Sequence, residues 1–251
     1  MTPSTQKTLP SDIVLLKGWH RERDQGVCAM EAVAWLAGET HGESPVCACP
    51  TYSGFLRRLN DAEWPSDADR TEALLPILPL MLGTGVIGPR TSEEVRRASD
   101  PGNAEEVRRS RELMALGHVF CMRAIFLVIC ALENAGHSAK ALRAAALAYC
   151  ESPNDMTSND VRTVIKRDCR TIYRIANVGY ALSAYVENSL WEMTIGEKFT
   201  YPARDGARAA SAADAAHVGI ISDETRLFLL RLAAEDFSNL LRSNAAKASN
   251  P

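Results

Sequence analysis

An all-α fold, an irregular helical bundle with a loop-rich N-terminal Cys/His region, is predicted by three observations. No run of alternating polar and apolar residues in the 251-residue chain is long enough for a sheet. Apolar residues recur instead at three- and four-residue spacing through long proline-free stretches, and Ser, Pro and Gly stand where helix caps and breaks belong. Hydrophobic residues make up 46% and charged residues 24%, which suits a chain able to bury a core, and with only 6% aromatics that core is built from aliphatics and alanine.

The elements follow in order. Residues 1–11, rich in Thr, Ser and Pro, read as a mobile leader. Ile13 to Leu16 is a short apolar segment, a helix turn or a lone strand, ending at Gly18. After Gly26 the run from Val27 to Ala37 suits a buried helix stopped by Gly38. Glu39 to Cys49 is a loop, and Pro50 supplies the fixed φ favoured at the start of a second helix whose face is Phe55, Leu56 and Leu59. Ser66 and Asp69 resemble a capping box ahead of Ala73 to Leu75, with interruptions expected at Pro76 and Pro79.

Gly83, Gly85, Gly88 and Pro89 mark a loop, placing a boundary between a region 12–90 and a helical bundle 91–245 that packs with it as one unit. Glu93 to Arg97 recurs as Glu105 to Arg109, a duplication that two charged helix starts explain as well as a repeat does. Asn103 to Asn134 predicts one long helix, or two joined near Gly117, with Phe120, Ile125, Leu127, Val128 and Leu132 in the core. Ser138 is positioned to cap a helix over 139–150, and Pro153 to Thr157 to break the chain. Ser158 then caps a helix running toward Trp191, and Ser222 a last amphipathic helix that frays after Leu241.

A formal charge of −3 provides no global field for nucleic acid or an anionic membrane. With no charged-then-apolar leader, and with the longest apolar stretch taken as Ala124 to Leu132, the expectation is a cytoplasmic protein with no membrane partner. The seven cysteines are unclustered, so reduced thiols are expected. Nothing in the sequence fixes the oligomeric state.

One region carries recognisable chemistry. Cys28, His41, Cys47 and Cys49 form a Cys₃His set, the donor type of a structural zinc, with Glu31 or His20 as a substitute ligand. The Cys-x-Cys spacing of Cys47 and Cys49 departs from the usual pairs, which leave two to four residues between. Alternatively Cys28, at a helix N-terminus, is a nucleophile with His20 or His41 as base. The third reading makes these thiols ordinary core and helix-start residues. Elsewhere Arg162, Lys166, Arg170 and Arg174 recur every four residues, a basic stripe that would meet phosphates or an acidic partner, or simply face water. His118 and His137 receive no role. No phosphate loop, HExxH or nucleophile elbow is present.

Gly18-Trp19-His20, the run Gly26 to Glu39, His41, Pro45, Cys47-Ala48-Cys49-Pro50, Phe55 to Asn60, Leu74-Leu75-Pro76, Pro79 and Leu82-Gly83-Thr84 together resemble an uncharacterised family of actinobacterial and phage proteins. The resemblance covers about a quarter of the chain, Gly18 to Thr84, and implies kinship and a phage or host-interaction setting without assigning any residue a role. The combined expectation is a helical protein-interaction or binding protein with a protein partner, carrying a structural zinc or buried thiols. The competing expectations are a Cys28-dependent enzyme and an acidic-partner or nucleic-acid binder.

Overall fold

The computed structural model describes residues 7–85, 104–134, 136–153, 155–174 and 223–249. Among these, eight α-helices carry the architecture: α1 Ala29–Leu36, α2 Pro50–Asn60, α3 Asp67–Leu74, α4 Leu78–Met81, α5 Ala104–Asn134, α6 Lys140–Glu151, α7 Asp155–Arg174 and α8 Asp223–Ser249. The described part of the chain is all-α, as the absence of alternation predicted.

Local chemistry sets the helix ends. Gly38, at φ 71°, follows α1 in the left-handed region, and Pro50 opens α2. Ser66 caps α3, its Oγ accepting from Asp69 N at 3.1 Å. Pro76 and Pro79 interrupt as expected: α3 ends at Leu74, and each proline falls in the first turn of a new short element, the 3₁₀ turn Leu75–Ile77 and then α4, where a missing N–H costs nothing. The apolar segment at Ile13 to Leu16 is neither helix nor sheet but a single bridge, Leu15 with Val27, sealed by Leu16 N donating to Val27 O at 2.9 Å. The end of the expected leader is docked, since Lys7 N donates to Leu36 O and Leu9 packs on the core; residues 1–6 lie outside the described residues.

Helix α5 is one helix, passing through a buried Gly117 without a break. Its buried positions Leu113, Phe120, Cys121, Ile125, Val128, Ile129 and Leu132 keep three- and four-residue spacing and so share a face. Helix α7 begins at Asp155, three residues before the expected Ser158 cap. Helix α8 continues past Leu241 to Ser249 because Asn244 is anchored: its Nδ2 donates to Tyr52 Oη and to Glu112 Oε2, both at 2.9 Å. The 86–103 boundary region and 175–222, with the cap at Ser222 and the helix end near Trp191, lie outside the described residues.

The N-terminal helices and the long helices are built on one hydrophobic cluster that runs from Leu15 to Leu241. Helix α1 packs on α2 and α4, α2 on α5, α8 on α3, α4 and α5, and α6 on both α5 and α7. Three aromatic rings join the parts. Phe55 of α2 lies 4.4 Å, centroid to centroid, from Phe237 of α8 and 6.4 Å from Phe120 of α5, so the few aromatics are spent where three helices meet.

Candidate functional site

The chain turning at Gly38 brings His41 beside His20 and Glu31. Glu31 is the third residue of α1 and its carboxylate is fully buried. Its Oε2 accepts from Cys28 N at 2.7 Å and from His20 Nδ1 at 3.0 Å, and its Oε1 accepts from His20 N at 2.8 Å. His41 Nε2 donates to His20 O at 3.0 Å and stands 3.8 Å from Glu31 Oε1. Because a carboxylate and a carbonyl only accept, the protons sit on Nδ1 of His20 and Nε2 of His41. Gly26, at φ +124°, closes the other side: a Cβ there would stand 2.4 Å from Leu16 Cδ1 and 3.3 Å from the His20 ring.

Burial opposes ionisation of Glu31, but the N–H groups of Cys28 and His20 and the His20 ring outweigh it and hold the carboxyl below its ordinary value. The chemistry of this centre is structural. Cys28 and Glu31 form a capping box in which a thiol stands where Ser or Thr is usual, and the same carboxylate ties residue 20 to the helix start.

The four zinc candidates Cys28, His41, Cys47 and Cys49 are not brought together, and no three His, Cys, Asp or Glu residues among the described residues are placed to hold a metal ion. Each has another task. Cys28 caps α1, and Cys49 caps α2, its Sγ accepting from Tyr52 N at 3.4 Å. Glu39 folds the intervening loop by accepting from Val46 N at 2.6 Å and Cys47 N at 2.8 Å. Burial, with the Glu31 charge adding, pushes the Cys28 thiol up to about 12, which disfavours the thiolate that a nucleophile at this helix start would need. Burial and Glu39 push Cys47 up to about 12 as well.

On α7, the helix that carries the basic stripe, Val161 and Ile165 are buried. Arg162 is half-buried; the side chains of Lys166, Arg170 and Arg174 lie outside the described residues.

An apolar groove between α5, α6 and α8 was not signalled by any motif. It encloses about 570 Å³ and is walled by Val119, Met122, Phe126, Leu127, Phe228 and Leu232, with Cys150 exposed at its edge. Phe126 and Phe228 are each 55% exposed, large apolar side chains left facing solvent on one concavity. Its polar groups are few. His118 Nδ1 is hydrogen-bonded to the buried Tyr149 hydroxyl, and Arg123 pairs with Asp236 at 2.5 Å.

The signal for the groove lay in α5, whose apolar residues exceed one face. The expectation that no apolar stretch approaches a membrane span is corrected here: Val107–Asn134 is, by length and composition, a helix apolar enough to cross a bilayer. In this fold one face of it is buried in the core, while Val119 and Phe126 of the surplus line the groove. A scan of protein-family models, a search of curated proteins and a search of solved structures each return no match to this chain.

Proposed function

We propose that this is a binding protein whose ligand is a small apolar molecule held in the groove between α5, α6 and α8. The observation that carries the reading is a concave apolar surface of about 570 Å³ walled by exposed Phe126 and Phe228. That volume falls within the range of small-molecule sites, and three helices supply walls that a flat protein-docking face would lack. The Glu31 centre supports the same choice from the other side, because its carboxylate is engaged with the Cys28 and His20 N–H groups and the Cys28 thiol is held protonated.

The test is a fluorescence titration with N-phenylnaphthylamine, a neutral probe whose emission rises in apolar surroundings. The wild type gives a saturable rise at one probe per chain. Phe126→Asp abolishes it while leaving the circular dichroism and melting temperature in place, since Phe126 already faces solvent. Unsaturable emission, or equal binding by Phe126→Asp, contradicts the reading.

A further inference from the structure

We propose that a second, polar pocket, between the start of α6 and α7, binds a small molecule through its phosphate group, a phosphate monoester being the class that fits. The inference is independent of the apolar groove, with which this pocket shares no residue.

The pocket encloses about 520 Å³, and its lining brings His137 and Ser138 of the turn before α6, Lys140 at the start of α6 and Arg167 of α7 to one concavity. None of the described residues that line it is acidic. Glu133, next in the chain to the lining residue Leu132, is held by Arg143 through both carboxylate oxygens, at 2.8 and 2.6 Å, so its charge is already balanced. Arg167 has a partner of its own, whereas Lys140 makes no ion pair among the described residues, so the unbalanced charge of the lining is the Lys140 ammonium. A net charge of −3 gives the chain no general attraction for anions, and capture of one needs such a local excess.

The donors choose among anions. Lys140 and Arg167 carry only donors, and an imidazole carries an N–H in either charge state. Ser138 Oγ, which accepts from Lys140 N at 3.4 Å, keeps its own proton to give. Donors from four residues outnumber the two oxygens of a carboxylate and suit the three of a phosphate monoester, which also carries the larger charge. Leu132, Ala141 and Ala144 form the apolar part of the wall, and the volume is within the range of small-molecule sites, so an organic body fits beside the phosphate.

The experiment is isothermal titration calorimetry with phenyl phosphate, benzoate and inorganic phosphate. The wild type binds one phenyl phosphate per chain, with benzoate at least about fivefold and inorganic phosphate about threefold weaker. Lys140→Glu, at an exposed position that the core does not use, weakens phenyl phosphate about thirtyfold while the melting temperature stays in place, and Arg167→Gln weakens it about fivefold. Arg242→Glu, which changes the net charge equally at an exposed position of α8, leaves the affinity within about twofold. No saturable heat in the wild type, or equal losses in Lys140→Glu and Arg242→Glu, overturns the site. Benzoate binding as tightly as phenyl phosphate overturns the phosphate class, and inorganic phosphate binding as tightly overturns the ester.

Discussion

The Glu31 centre and the apolar groove are opposites. In the first, chemically conspicuous residues gather on a buried carboxylate: Glu31 accepts from Cys28 and His20 while His41 donates to the His20 carbonyl. In the second, ordinary apolar residues stand open to solvent, with one histidine, one tyrosine and a paired arginine among them. The difference teaches that reactive residue types mark where a small N-terminal unit is locked, whereas unspent apolar surface marks where something else can bind.

The largest expected effect breaks the locked region. Glu31→Ala removes the buried acceptor of the Cys28 and His20 N–H groups and of the His20 ring, lowering the unfolding free energy in urea by about 4 kcal/mol. A loss below about 1 kcal/mol would mean that the carboxylate is dispensable. Next is its pH dependence. The folded-state value of Glu31 is depressed, so its stabilisation is complete above the ordinary value of 4.5 and is lost as pH falls through the depressed value. Glu31→Gln therefore flattens the acid limb of the stability curve below pH 4.5, and an unchanged limb would assign acid denaturation to other carboxylates.

A smaller effect separates a cap from a metal ligand. Serine caps helices at least as well as cysteine, so Cys28→Ser keeps stability within about 1 kcal/mol of the wild type. The same variant would be far less stable if Cys28 anchored a structural zinc, and zinc analysis of the reduced wild-type protein gives a parallel readout.

Much of the fold was legible because its signals are local. Gly38, Pro50 and Ser66 act within a turn of where they stand, and the all-α class follows from periodicity alone. The site was less legible because it depends on which donors meet in space. Cys28 and Glu31, three residues apart ahead of an apolar run, are a capping-box spacing, but the thiol in place of Ser suggested metal chemistry instead. Pro76 and Pro79 read as interruptions and are, although the sequence does not show that a new short turn begins at each. The groove was invisible for a different reason. Val119 and Phe126 continue the apolar pattern of α5, and only the packing of α6 and α8 leaves them outside the core.

Thiol alkylation read by mass spectrometry tests both halves of the comparison at once, because Cys28 and Cys49 are buried in the locked region while Cys150 is exposed at the groove. The native protein is expected to be modified at Cys150, more slowly when saturated with N-phenylnaphthylamine, with Cys28 and Cys49 reacting only after unfolding. Native labelling of Cys28, or a Cys150 rate indifferent to the probe, would contradict the account.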